Sequence, residues 1–89
     1  MEKKIKLIWD FYGGHANGTA EHHSIHLNEY AERQKLTFRQ NGVEKVSDNH
    51  SLAYLIVAEK EMIGVRDVLR PRRAEYVDII WPIPKFAYS

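Results

Sequence analysis

The stretch "KIKLIWDFY", from Lys4 to Tyr12, alternates in character with a period of two. One side of the alternation is wholly apolar and consists of Ile5, Leu7, Trp9 and Phe11. The other side mixes charged and apolar residues, namely Lys6, Ile8, Asp10 and Tyr12. Because successive side chains of a strand point to opposite faces, this pattern predicts a strand over Lys4–Tyr12 that ends at Gly13 and Gly14. Both faces of the strand carry apolar side chains, and this property decides the architecture.

A helix is predicted after this strand, from about Ala16 to Lys35. Apolar residues recur there at helical spacing, and these are Ala20, Leu27, Tyr30 and Ala31. Either Asn17 or Thr19 is suited to cap the first turn. Glu21 lies near the start of the helix, where a negative charge is favoured by the helix dipole.

A hairpin is predicted next. Asn41-Gly42 is a typical turn sequence, after which residues 43–46 have the composition of a short strand. Residues 47–49, "SDN", favour a second turn. They precede "SLAYLIVA", Ser51–Ala58, a nearly continuous apolar run of strand length.

A second helix and a last strand complete the chain. "EKEMIGVRDVLRP", residues 59–71, carries an apolar stripe at helical spacing and ends at Pro71, which cannot continue a helix. "EYVDIIW", Glu75–Trp81, is rich in β-branched and aromatic residues. The resulting order predicts one α+β domain over residues 1–89 with a ferredoxin-like βαββαβ plan. This plan has a four-stranded antiparallel sheet with both helices on one face.

The composition excludes several classes of protein. The 89 residues carry a formal net charge of +1, so neither a nucleic acid nor an anionic membrane is expected as a partner. Cysteine is absent, which excludes disulfides and thiolate metal sites and fits a reducing compartment. The apolar run near the N-terminus is too short for a secretory signal or a membrane span. We therefore expect a cytoplasmic location.

The apolar character of both sheet faces predicts a homodimer. Each of the long predicted strands carries apolar or aromatic residues on both of its faces. Examples of neighbours on opposite faces are Ile8 and Trp9, Tyr54 and Leu55, and Ile79 and Ile80. Helices on one face leave the other uncovered, and monomers rarely expose so large an apolar surface. A second copy related by a two-fold axis is the simplest cover.

With this plan the chain resembles the dimeric α/β-barrel superfamily, of the YciI-like or stress-responsive barrel type. The resemblance lies in "HSIHLNEYAE" of the first helix, "GVEKVSDNHSLAYLIVAE" of the hairpin and "AEYVDIIWPI" of the last strand. It implies a cavity between the two sheets. In YciI-like members a helix histidine and an acid of the first strand lie at that cavity, and by position these are His23 or His26 and Asp10.

Asp10 is the leading candidate for acid–base chemistry. It interrupts an apolar strand end, and a carboxylate in an apolar cavity has a raised pKa, which suits a general base. His26, on the border of the apolar stripe, or His23, within it, is the expected partner. Alternatively, Asp10 pairs with an arginine or caps a turn, and His23 is a structural residue of the core.

A small organic molecule is the expected ligand. The cavity wall is predicted to contain Tyr12, Tyr54, Tyr76 and Asp78. Cofactor-free proton transfer of the isomerase or lyase kind is one hypothesis. A non-catalytic ligand-binding or accessory module that uses the same cavity is another.

A third hypothesis is a transition-metal site at His22 and His26. The two residues are four apart and so lie one above the other on a helix. A third ligand would have to come from His15, His50 or a carboxylate such as Glu29 or Asp10. The alternative is an ordinary solvated helix face.

Overall fold

The computed structural model describes residues 3–77, which form four strands and two helices of an α+β domain. The elements are β1 Lys4–Tyr12, α1 Ala16–Gln34, β2 Arg39–Ser47, β3 His50–Ala58, α2 Glu59–Leu69 and β4 Arg73–Val77. The predicted order of elements and the α+β class are confirmed. The last strand is described as far as Val77, so Asp78 and the rest of the predicted run to Trp81 lie outside the described residues.

The strands form one antiparallel sheet in the order β2-β3-β1-β4. β1 and β3 are therefore central, and β2 pairs with β3 as the predicted hairpin. β4 begins at Arg73, opposite Ile8 of β1. Residues of β1 beyond Ile8 consequently pair with β3 on one side, whereas on the other side they extend past the first residue of β4.

Both helices pack against the face of the sheet that carries Leu7 and Trp9. Leu27 of α1 and Val65 of α2 join these residues in one buried cluster. The cross-strand neighbour of Leu7 is Leu55, which is fully buried in the same cluster. We call this side the helix face and the opposite side, which carries Ile8 and Asp10, the outer face.

The outer face is less exposed than the sequence predicts. Ile8, Leu52 and Ile56 lie on it, and their exposed fractions are 2%, 4% and 7%. Lys6 lies on the same face, with its ammonium 4.6 Å from the centre of the Tyr54 ring. The large exposed apolar surface that motivated the homodimer is therefore not observed at these positions, and the homodimer stays a prediction.

Asn41 and Gly42 do not form the predicted turn, because both lie within β2. The amide of Asn41 donates hydrogen bonds to the backbone and side-chain oxygens of Ser24 in α1, at 3.1 and 2.8 Å. Gly42 lies opposite Tyr54, whose ring occupies the space that a Cβ at position 42 would need. Asn41 therefore bonds to α1 from the helix face of β2, whereas Gly42 makes room for Tyr54 on the outer face.

The helix ends differ in how well they match the sequence pattern. α1 begins with His15 at its N-cap and without a side-chain cap, so the predicted capping by Asn17 or Thr19 is wrong. Thr19 instead donates its hydroxyl back to the His15 carbonyl, at 3.0 Å. α2 ends at Leu69, so the predicted end of the helix at Pro71 is confirmed. Arg70 adopts a left-handed conformation, and its N–H donates to the Arg66 carbonyl. Within residues 3–77, neither helix has the length and apolar character needed to cross a bilayer.

Candidate functional site

Side chains from three strands meet on the outer face around Asp10 of β1. His50 begins β3 and lies opposite Tyr12, whereas Arg73 begins β4 and lies opposite Ile8. Ile8, Asp10 and Tyr12 share one face because strand side chains alternate. Asp10 is therefore placed between a histidine on one neighbouring strand and an arginine on the other.

The Asp10 carboxylate is held from both sides. Nε2 of His50 lies 2.8 Å from Oδ1. Arg73 donates from Nε to Oδ2 at 3.0 Å and from Nη2 to Oδ1 at 3.1 Å, which is a bidentate contact. The Asp10 side chain is 7% exposed, whereas that of Arg73 is 49% exposed. The arrangement fixes the carboxylate and leaves part of the guanidinium open to solvent.

These contacts make Asp10 a poor general base. The hydrogen bond from Arg73 holds the pKa of Asp10 below its usual value, and the hydrogen bond with His50 acts in the same direction, although burial opposes both. The predicted rise in the pKa of Asp10 is therefore wrong, while the alternative of pairing with an arginine is confirmed. An ionised carboxylate that already accepts three hydrogen bonds is suited to orient its partners.

His50 is oriented by this carboxylate. An ionised carboxylate can only accept hydrogen bonds, so Nε2 of His50 carries the proton and, in the neutral ring, Nδ1 carries the lone pair. No hydrogen bond joins Nδ1 of His50 to another residue in the described part of the chain. The Tyr12 ring stacks on the imidazole, with centroids 4.4 Å apart and planes inclined by 18°. The His50 side chain is 20% exposed, so its imidazole is a partly buried ring whose orientation is fixed.

The predicted tyrosine wall is divided between the two faces. Tyr12 and Tyr54 lie on the outer face, as their register with His50 and Ile8 requires. Tyr76 pairs with Ile5 and so lies on the helix face. Its hydroxyl donates to Glu59 of α2 at 2.8 Å, and this bond raises the pKa of Tyr76. The expectation that Tyr76 joins the same wall is wrong.

The expected pairing of Asp10 with a helix histidine is also wrong. The His23 ring packs on the helix face against Trp9 and Phe11, with centroid separations of 5.1 and 5.5 Å. His26 lies on the exposed side of α1, where it contacts Glu29 and not the sheet. The sheet itself separates His23 from Asp10.

His23 has a buried nitrogen without a partner among residues 3–77, namely Nε2. Burial lowers the pKa of His23, and the nearby His26 and His22 lower it further. The expectation that His23 points toward the sheet is confirmed, but the hydrogen bonds expected of a satisfied core histidine are incomplete. A buried polar atom in this state reduces stability.

We expect His23→Leu to raise the free energy of unfolding by about 1 kcal/mol at neutral pH, because it removes the unpaired nitrogen and keeps an apolar contact with Trp9. The gain should increase as the pH falls below about 6.5, where the unfolded wild-type chain takes up a proton that the folded ring resists. Urea unfolding at pH 7.5 and 5.5 measures both effects. The exposed His15→Gln variant is the control, and an equal or smaller gain at pH 5.5 would contradict the interpretation.

Two residues of the cluster around Asp10 were not predicted for it. The sequence pattern indicates His50 only as a possible third metal ligand, and Arg73 lies in the basic stretch "RPRR", residues 70–73, which follows α2. The feature that identifies His50 as a neighbour of Asp10 is the register of β1 with β3, because this register places His50 opposite Tyr12. Local sequence patterns do not contain that long-range register.

The predicted metal residues lie elsewhere. His22 and His26 are neighbours on the exposed side of α1, with ring centroids 4.5 Å apart. Within residues 3–77 no group of three or more histidine and acidic side chains is arranged to hold a metal ion. The third ligand that was considered from His15, His50, Glu29 or Asp10 is therefore not in place.

Comparisons with protein-family models, with curated proteins and with solved structures find no match to this chain.

Proposed function

We propose that the protein binds a small organic acid on the outer face of the sheet and that His50 exchanges a proton with it. The observation that carries the proposal is the 2.8 Å contact between Asp10 and His50, which fixes the proton on Nε2 of a side chain that is 20% exposed and leaves Nδ1 of the neutral imidazole as the acceptor. Imidazole is the side chain best suited to move a proton near neutral pH. The proposal requires no cofactor.

Asp10 acts as a positioning group in this proposal. Its two oxygens are occupied by His50 and Arg73, so it has no free acceptor directed at a ligand beyond this pair. Its charge favours the tautomer of His50 that carries the proton on Nε2. Arg73 in turn keeps the carboxylate ionised.

The ligand chemistry follows from Arg73 and Tyr12. Arg73 uses Nε and Nη2 on Asp10, so Nη1 keeps its two N–H groups for an acidic group of a ligand. Tyr12 is 69% exposed next to His50 and offers a flat apolar surface. A planar molecule with a carboxylate satisfies both features.

A non-catalytic binding role is the second candidate. The exposed ring of Tyr12 and the open part of the Arg73 guanidinium serve binding whether or not a proton moves. Ligand binding without any proton exchange at His50 would favour this accessory role over an enzyme.

We also propose a ferredoxin-like subunit of the dimeric α/β-barrel type, with two outer faces turned toward each other. The βαββαβ order of elements and the strand order β2-β3-β1-β4 support the plan. In such a homodimer the cavity would lie between Tyr12, His50 and their symmetry mates. The binding experiment tests the site whether the protein is monomeric or dimeric.

Titration with benzoate, followed by amide NMR of the full chain, tests the proposed ligand class. We expect shift changes at Tyr12, His50 and Arg73, and weaker changes with benzamide, which lacks the charge. His50→Gln should weaken benzoate binding about fivefold, which corresponds to about 1 kcal/mol, because it removes the imidazole on which the Tyr12 ring stacks.

His15→Gln is the matched control, because it removes an exposed histidine outside the cluster and should leave benzoate binding unchanged. No shift changes up to about 10 mM benzoate would contradict the proposal, since a millimolar site is then mostly occupied. Changes confined to another part of the chain would contradict it equally.

A further inference from the structure

His22 and His26 of α1 bring two ring nitrogens together outside the cluster around Asp10. They are one helical turn apart, and the distance between their Nε2 atoms is 3.0 Å. Their ring planes are inclined by 80°. His26 is exposed to solvent, so an ion can reach it without a change in the fold.

The proton positions of this pair follow from Glu29. Nδ1 of His26 lies 3.1 Å from Oε1 of Glu29, and an ionised carboxylate only accepts, so Nδ1 carries the proton. Nε2 of His26 therefore has its lone pair directed toward His22. Histidines that bind metals commonly donate their other ring N–H to a carboxylate in this way.

We propose that His22 and His26 form a bidentate site for a divalent transition-metal ion, with Cu²⁺ bound more strongly than Ni²⁺. Imidazole nitrogens bound at about 2.05 Å and separated by 3.0 Å subtend about 94° at the metal. Neighbouring ligands in tetragonal and octahedral complexes subtend nearly this angle, and such geometries are typical of Cu²⁺ and Ni²⁺.

Both Nε2 lone pairs are needed for binding. In the neutral pair, His22 donates its Nε2 proton to His26, so this proton moves to Nδ1 of His22 when the metal binds. Water completes the coordination, because no third ligand converges within residues 3–77. Of the three other described histidines, His50 is held by Asp10, His23 packs against Trp9 and His15 lies at the N-cap of α1.

Calorimetric titration of the full chain with Cu²⁺ and with Ni²⁺ tests the site. We expect one equivalent to bind, and we expect His22→Gln and His26→Gln each to weaken binding at least about tenfold. Glu29→Gln should weaken it by about tenfold through loss of the carboxylate that orients His26. In NMR spectra, paramagnetic broadening by Ni²⁺ should be strongest at residues 22 and 26.

His15→Gln is the control for adventitious binding and should leave the affinity unchanged. Circular dichroism verifies that each variant is folded, as expected for changes on an exposed helix surface. An unchanged affinity in either His22→Gln or His26→Gln would overturn the proposal, and so would broadening centred on another histidine or no binding of either ion.

Discussion

Replacing Trp9 by alanine is expected to lower the free energy of unfolding by about 3–4 kcal/mol. Trp9 is 5% exposed and belongs to the cluster that both helices cover. Its Nε1 donates to the carbonyl of Leu69 at 2.9 Å, which ties β1 to the last residue of α2. The variant therefore loses packing against the sheet and leaves the Leu69 carbonyl without this donor.

The loss is large relative to the stability that a chain of 89 residues can have, which is about 5–13 kcal/mol. Urea unfolding monitored by far-ultraviolet circular dichroism gives the change directly. Trp9→Phe keeps an aromatic ring but loses the N–H donor, so it should cost about 1–2 kcal/mol.

The matched surface control is Ile25→Ala, because Ile25 is 57% exposed on α1. Its effect should be within about 0.5 kcal/mol. If Trp9→Ala and Ile25→Ala had similar effects, the position of Trp9 in the core would be contradicted.

The sequence predicts β1 well because the physical signal is local. Alternation from Lys4 to Tyr12 fixes which side chains share a face, and Gly13, with φ at 108°, ends the strand in a conformation that favours glycine. The same local reasoning is wrong at Asn41-Gly42. There the absence of a Cβ at Gly42 leaves room for the ring of Tyr54 on the neighbouring strand, and turn propensity contains no information about this contact.

The candidate site required information that local patterns lack. Asp10 and Trp9 are adjacent in β1, so their side chains lie on opposite faces of the sheet. A histidine on a helix that covers Trp9 is therefore on the wrong side of the sheet for Asp10. The apolar stripe of α1 correctly predicts that His23 points toward the sheet. On that face His23 packs against Trp9 and not near Asp10. Which histidine does meet Asp10 depends on the β1–β3 register, and this register is set by the whole hairpin.

The homodimer prediction shows that the exposure of a sheet face is also difficult to infer from sequence. It rested on counting apolar residues such as Ile8 and Ile56 on the outer face. Exposure also depends on neighbours, and on this face the long side chain of Lys6, itself 16% exposed beside Glu44, reaches over the Tyr54 ring. Apolar composition on a face therefore overestimates the area that a partner must cover.

Asp10→Asn is expected to lower the free energy of unfolding by about 2 kcal/mol at pH 7, because an amide replaces a buried ionised acceptor. Oδ1 and Oδ2 accept from His50 and Arg73 in the wild type, whereas asparagine keeps one oxygen acceptor and brings N–H groups toward these donors. Glu44→Gln on the same face is the control. It removes the charge from an exposed pair with Lys6 and should cost less than about 1 kcal/mol.

The dependence on pH separates a charge effect from a packing effect. Because Arg73 lowers the pKa of Asp10 in the folded state, the stabilisation is present above the unfolded value of about 3.9 and is lost as the pH falls through the folded value. The difference between wild type and Asp10→Asn should therefore shrink below about pH 4. ¹⁵N NMR of His50 adds a second readout, since Asp10→Asn should reduce the population of the tautomer that carries its proton on Nε2. A stability difference that stayed constant down to pH 2, with the His50 tautomer unchanged, would show that Asp10 neither contributes its charge nor positions the imidazole.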